Sequence, residues 1–338
     1  MSHPAPNPLP EKPPVGLYGG CVLFAAPRRW DEACFATPAL RAIRAARPTC
    51  SLGVICHEDQ ADYWTTVPRI NQIIVYHKRT RLRELMAVQA ESRYAWDAAI
   101  LWEKDLAADF CKALSIKQRL GYAQKPLLKF LTDAIPLNET PGPVTHRVQF
   151  YLNLMERLKI PTQKPEIFSP CPLDVARTPR HVIIHPASDY GPSHEWTLTG
   201  WEQTLQWMHD HGNFQVTLLQ LPGNKSNLAP LLAQKFPHCR LETLPTIASA
   251  LPLLSSAALT ISADSSLCHL SAHVGTPTVS LFGPNDPEWR RPLGKQHRVV
   301  RQKVECSPCL LEKCPLDRRC QQELSATTVI AAISAYLR

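Results

Sequence analysis

At 338 residues, 44% apolar and 20% charged, the chain is long enough for two domains with separate cores and too apolar to be a disordered polymer. No run approaches the roughly 18 apolar residues of a spanning helix, which argues against a helical membrane protein. A formal charge of +8 points to an anionic partner, whether nucleotide, phosphorylated glycolipid, membrane surface or nucleic acid, and does not choose among them.

Residues 1–16, MSHPAPNPLPEKPPVG, carry no apolar core after the first residues and read as a disordered proline-rich leader rather than a signal peptide. A cytoplasmic setting is expected, with the twelve cysteines mostly reduced. Cys21 to Pro27 reads as a first strand, and Arg28-Arg29-Trp30-Asp31-Glu32 follows it. A helix is expected over Pro38 to Ala46, from Leu40, Ile43 and Ala46 at helical spacing. Strand-like runs come at Leu52 to Cys56, Ile73 to Tyr76 and Ala98 to Trp102, with helical patterns at Arg81 to Glu91, Lys104 to Leu114 and His146 to Leu158. That alternation indicates parallel βαβ units. The composition shift over Ile160 to Arg180 is read as a boundary, giving a first domain at 17–165 and a linker at 166–180.

The second domain, 181–338, repeats the alternation: strand His181 to His185, helix Thr199 to His211, strand Phe214 to Gln220, then helices near Lys225 to Phe236 and Ile247 to Ser255. The stretch from Leu259 to Pro287 is a strand, the cluster Asp264-Ser265-Ser266, a short helix stopped by Gly275-Thr276-Pro277, and a second strand at Thr278 to Phe282. A helix start at a strand's carboxyl end favours phosphate. Val299-Val300 is a short strand, and Ser325 to Leu337 is a last helix. Between them, Cys306, Cys309, Cys314 and Cys320 supply the donor set of a structural zinc or iron, with disulfides or free thiols as the alternative.

Four segments in order resemble the family 9 glycosyltransferases, the ADP-heptose-dependent heptosyltransferases of the lipopolysaccharide core type. They are Asp31-Glu32 with Thr37-Pro38-Ala39-Leu40; His185-Pro186-Ala187-Ser188 with Glu195-Trp196; Asp264-Ser265-Ser266 with His269, Gly275-Thr276-Pro277 and Leu281-Phe282-Gly283-Pro284; and the cysteine quartet. The resemblance runs from about residue 18 to the C-terminus. It implies a GT-B architecture of class α/β, two Rossmann-like doubly wound domains facing across a cleft, acceptor on the first and sugar nucleotide on the second.

It also implies an inverting transfer of heptose, or a related sugar, to an envelope glycan such as lipopolysaccharide inner core, with no catalytic metal. The expected partners are a nucleoside diphosphate sugar and an anionic glycolipid or glycan, with peripheral contact at the inner face of the inner membrane and no nucleic acid. Counting back from Pro38 puts Glu32 at the catalytic carboxylate, with Asp31 second. The helix start, with Ser265 and Ser266, is expected to hold the diphosphate. Asp264 is expected to cap that helix or to bond sugar hydroxyls, and His269 to reach a phosphate or sugar oxygen. Ala187, Ser188 and His194 form the facing loop, His194 standing where the family has lysine. A histidine there makes the contact pH-sensitive, an unperturbed imidazole titrating near about 6.5. Gly223 and Asn227 complete the donor site. The rival readings are a sugar-nucleotide binder without chemistry, an autotransporter-type protein heptosyltransferase, a sugar-nucleotide epimerase and, last, a nucleic-acid-binding protein, for which a compact basic helix is lacking.

Overall fold

The computed structural model describes residues 16–137 and 143–337, so all but the last residue of the expected leader lies outside it. Six parallel strands form the first sheet: β1 (Cys21–Ala25), β2 (Ser51–His57), β3 (Gln72–Tyr76), β4 (Ala98–Ile100), β5 (Gln118–Tyr122) and β6 (Asp133–Ile135). Six more form the second: β7 (His181–His185), β8 (Gln215–Gln220), β9 (Arg240–Thr243), β10 (Leu259–Ala263), β11 (Thr278–Phe282) and β12 (His297–Arg301). The orders are β3-β2-β1-β4-β5-β6 and β12-β11-β10-β7-β8-β9. Read from β9, the second sheet follows the same 3-2-1-4-5-6 course as the first, the doubly wound arrangement expected from the sequence. The central strands are buried on both faces, so that LTISA of β10 and TVSLF of β11 bury their threonines and serines along with their apolar residues.

Two differences from the sequence reading are informative. The first helix spans Trp30–Ala46 with Pro38 inside it, where only Pro38 to Ala46 was expected. Pro38 costs the helical hydrogen bond to the Cys34 carbonyl, and the helix continues through it because it is buried along most of its length. Asp31 and Glu32 therefore stand in the first turn of a helix, not on a free loop. The second difference is three strands with no sequence signal. β5 is QRLGY, β6 only DAI, and β9 is RLET at the sheet edge, so none carries an apolar run or clean alternation.

The helix Trp30–Ala46 packs on two others, Val148–Arg157 and Ser266–His273. It thereby belongs to both halves. One buried apolar cluster runs from Val22, Phe35 and Tyr63 through Leu154 to Leu251, Leu267 and Leu270. Residues 169–180 join the two sheets without helix or strand.

Candidate functional site

In a doubly wound sheet the crevice opens where strand order reverses, at the carboxyl ends of the two strands flanking that point. Here those pairs are β1 with β4 and β7 with β10. Three cavities occupy these places. One of about 320 Å³ lies at the ends of β1 and β4 and is lined by Arg28, Glu32, Trp102, Glu103, Arg147 and Tyr151 among others. One of about 600 Å³ lies between the halves, with Arg29, Asp31, Tyr190, Ser266, Trp289 and Arg290 on its walls. The third, about 700 Å³, is lined by Ser188, Gly223, Lys225, Ser226 and Asn227. The last two meet at Asp189 and Glu312.

Asp31 and Glu32 are both buried and both held by guanidiniums from elsewhere in the chain. Asp31 Oδ2 accepts from Arg290 Nη2, from Arg29 Nη2 at 3.0 Å and from the Tyr190 hydroxyl at 2.9 Å. Glu32 accepts from Arg147 Nε at 2.8 and 3.1 Å, from Arg290 Nη2 at 2.8 Å and from the Tyr151 hydroxyl at 2.5 Å. Burial alone would raise the Asp31 carboxyl, but the Arg290 and Arg29 charges outweigh it and hold it well below the usual carboxylate range. Arg290 thus ties two carboxylates of the first half to the second. Neighbours in sequence, the two carboxylates face different cavities: Asp31 the large central one, Glu32 the smaller one beside Trp102.

The helix Ser266–His273 starts where the sequence places an anion site, and a carboxylate of the chain already occupies it. Ser266 N–H donates to Asp189 Oδ1 at 2.8 Å, and the Ser266 hydroxyl donates to Asp189 Oδ2. Asp189 is exposed as a residue, yet burial of its carboxylate pushes its pKa up against the lowering effect of these bonds.

Other expected contacts are redirected. Asp264 is fully buried and does not cap the helix; its Oδ2 accepts from Asn285 Nδ2 at 2.6 Å and lies 3.1 Å from His194 Nδ1. Ser265 Oγ turns into the core, 3.1 Å from His185 Nδ1 and 3.0 Å from Ser262 Oγ, because residue 265 is the extended N-cap and points back toward β7. Ser188 Oγ donates to the Asp264 carbonyl at 2.6 Å. Ala187 is buried and lines neither donor-side cavity. His269 also lines neither. It faces a cavity of about 40 Å³ with Phe35 and His273, its ring 4.8 Å from Phe35, both nitrogens without a partner and its pKa pushed down to about 3 by burial. What the structure does bring together is Ser188, Gly223 and Asn227 on one cavity and Asp31, His194 and Ser266 on another. Gly223 sits at φ +75 with open space on its Cβ side, so the turn itself requires glycine there.

Sequence reasoning missed Asp189, Tyr190, Lys225, Asn285, Trp289 and Arg290. The signals were thin: a lysine directly after Gly223-Asn224, and the polar run Asn285 to Arg290 after the Gly283-Pro284 stop.

The cysteine loop covers the central cavity. Cys309 and Leu310 N–H groups donate to the Pro284 carbonyl at 3.0 and 2.9 Å, and a Cβ at Gly191 would meet the Glu312 carbonyl oxygen at 2.6 Å. All four cysteines are free. Cys306 is exposed, Cys309 and Cys314 are half-buried and Cys320 is buried. Burial, then the neighbouring thiols, push Cys320 up to about 11. Among the described residues no group of three or more Cys, His, Asp or Glu stands in metal-binding geometry, so the expected metal set is not assembled by this loop path, although four thiols suit zinc or iron chemically.

The sequence profile of glycosyltransferase family 9 (heptosyltransferase) matches residues 89–319. Lipopolysaccharide heptosyltransferase 2 of Escherichia coli is 29% identical over 122 residues, 34% of either chain, so the chain spans about a third of the length of such curated relatives. In fold, the protein is similar to the solved E. coli ADP-heptose lipopolysaccharide heptosyltransferase II, with TM-score 0.76, 19% identity, 94% of this chain and 98% of the other covered. It is also similar to the iron-containing dodecameric glycosyltransferase TibC of an enterotoxigenic E. coli, with TM-score 0.60, 15% identity, and 95% and 77% coverage. The profile takes in more than half the chain and ends beyond the helix start, the Arg290 clamp and three of the four quartet cysteines; the protein belongs to glycosyltransferase family 9, the heptosyltransferases, and is a glycosyltransferase.

Proposed function

We propose that the protein moves heptose from ADP-heptose onto a bacterial envelope glycan, such as lipopolysaccharide inner core, with inversion at the anomeric carbon and no catalytic metal. The observation that carries this reading is the placement of two adjacent carboxylates between two crevices: Glu32 on the small cavity, Asp31 on the central one, and Arg290 holding both. An acceptor hydroxyl in the small cavity gives its proton to Glu32 as its oxygen bonds to the anomeric carbon. The bond from that carbon to the diphosphate breaks, and ADP leaves with the electron pair. Ser266 N–H and hydroxyl, now bonded to Asp189, are the groups a diphosphate takes over, with Arg29 and Arg290 on the same cavity to offset its charge. Ser188, Gly223, Lys225 and Asn227 line the room for the nucleoside and its phosphates. The exposed run Lys78, Arg79, Arg81 and Arg83 suits the anionic inner face of the inner membrane.

A thermal-shift panel of nucleoside diphosphate sugars, followed by ADP release with a glycan acceptor, tests the assignment. ADP-heptose should raise the midpoint most and release ADP only when acceptor is present. Stabilisation by ADP-heptose with no transfer to any acceptor would leave a binding protein. Interconversion of the donor alone would make it an epimerase. For the cysteine loop, the four-thiol set is read as a structural zinc or iron site. About one ion per chain in purified protein supports that reading, and metal-free folded protein rejects it.

A further inference from the structure

Two irregular segments meet over the central cavity: residues 186–194, and residues 302–318, which carry Cys306, Cys309 and Cys314. They are joined at three consecutive residues. At Gly191 the backbone has φ +108 and a Cβ would press on the Glu312 carbonyl, so only glycine lets the two chains come this close. The Pro192 carbonyl accepts from Arg318 Nη1 at 3.0 Å. Ser193 makes the fullest contact. Its N–H donates to the Glu312 carbonyl at 3.3 Å, and its hydroxyl lies 2.7 Å from that same oxygen and against the Leu311 carbonyl. Because Ser193 is buried, breaking these bonds leaves polar groups that water does not readily satisfy.

The first segment is held at its other end by the donor crevice. Ser188 Oγ donates to the Asp264 carbonyl at 2.6 Å and accepts from the Tyr190 N–H at 3.0 Å. Between the two anchors stand Asp189, whose carboxylate takes the Ser266 N–H and hydroxyl, and Tyr190, whose hydroxyl donates to Asp31. Gly191 is the residue there that could turn most freely, and it is wedged against Glu312, while the ring of Pro192 fixes the next φ. Asp189 therefore cannot leave Ser266 without strain on the contacts at Ser193.

We propose that Ser193 is a positioning residue that ties the cysteine loop to nucleotide binding. The loop path that holds Ser193 also holds Asp189 on Ser266, so a nucleotide that displaces Asp189 loosens the loop, and a loop fixed in this path weakens nucleotide binding. This rests on the reading of the Ser266 helix start as the place of the diphosphate. The coupling is reciprocal: the factor the loop takes from nucleotide affinity is the factor the nucleotide takes from the loop's hold. Leu310 and Glu312 of the loop line the central cavity, and none of the four cysteines lines it or its neighbour. Whatever binds or cross-links the thiols in this path thus acts on the donor from outside both cavities.

Hydrogen exchange on the full chain, with and without ADP, tests the tie. In the unaltered protein ADP should speed amide exchange over 190–194 and 303–313 by at least about fivefold. The Ser266 amide, passed from Asp189 to a phosphate, should stay protected. Without nucleotide, Ser193→Ala should speed exchange of the Ser266 amide roughly fivefold, the effect of losing one hydrogen bond, and Arg318→Ala should do so by less. Calorimetry should find ADP bound about fivefold more tightly by Ser193→Ala, whereas a merely structural Ser193 would lower stability and leave ADP affinity alone. ADP that binds while loop exchange slows or stays constant, a Ser266 amide indifferent to both variants, or unchanged or weaker ADP binding by Ser193→Ala would overturn the proposal. A chain that binds no ADP at all would count against the donor reading instead, and exchange at Ser266 without nucleotide would still decide whether Ser193 holds Asp189.

Discussion

The two sheets share one strand order and one kind of crevice, yet the crevices are furnished in opposite ways. At the β1–β4 end the walls are Trp102, Phe150 and Tyr151 with paired charges, and the group proposed to work there is a side-chain carboxylate. At the β7–β10 end Ser188, Gly223 and Asn227 line one cavity, and the group proposed to work there is the helix start at Ser266, on the adjoining cavity. The backbone decides where a ligand sits, and a few loop residues decide whether the place offers proton affinity or positive potential. Both ends hold acidic groups of the chain itself, Glu32 in one and Asp189 in the other. Among the described residues, Glu32 is anchored by three partners and Asp189 by Ser266 alone.

Glu32→Gln is the change that should separate the crevices most cleanly. Turnover should fall by roughly 10²–10⁴-fold with donor affinity preserved, read from initial rates and an ADP-heptose titration. Asp31→Asn should cost less, because a carboxyl held so acidic is a weak base; the reverse order would move the proton transfer to Asp31. Arg290→Ala removes the tie between the two ends and leaves Asp31 and Glu32 buried with fewer partners. A loss of about 3–5 kcal/mol in unfolding free energy is expected, measurable by denaturant titration.

Acid should act on the second half first. His185 and His269 are buried there and His273 is half-buried, each with its pKa pushed down to about 3 from an ordinary 6.5 by desolvation. Folding holds them neutral, so their contribution is complete above pH about 6.5 and drains away as pH falls toward about 3. Hydrogen exchange at falling pH should therefore show β7 and the helix Ser266–His273 losing protection before β1 and β2. The smallest effect expected is Asp189→Ala, which clears a carboxylate from the Ser266 N–H. ADP should bind about tenfold more tightly, the two bonds from Ser266 to the carboxylate no longer having to be displaced. Weaker ADP binding would mean that Asp189 assists the nucleotide instead of competing with it.

The fold was largely legible because alternating apolar runs and helical spacing survive in sequence. β5, β6 and β9 were not, being short, partly polar and held mainly by their neighbours. Of the site, the carboxylate pair, the helix start and the Ser188–Gly223–Asn227 wall were readable as residue types. Their partners were not. Arg290 lies more than two hundred residues from Asp31, and Asp189 reaches Ser266 from another strand end. Such pairings depend on β7 lying beside β10 and on the two sheets facing each other, which local patterns do not encode. Ser265 illustrates the same limit at short range: a hydroxyl in the expected triplet turns inward because its backbone is extended, and Ser266, one residue on, faces the cleft.

Because Phe35, Leu154, Leu251 and Leu267 belong to one apolar layer, swinging the halves apart would wet that layer at roughly 25 cal/mol for each Å² exposed. On the proposed reading, a nucleotide would enter and leave the central cavity locally, past the segment from Pro186 to Glu195 and the cysteine loop that hangs from Pro284. On that reading the residence time of the spent nucleotide would be set by two surface segments, and turnover could be adjusted there without touching either crevice.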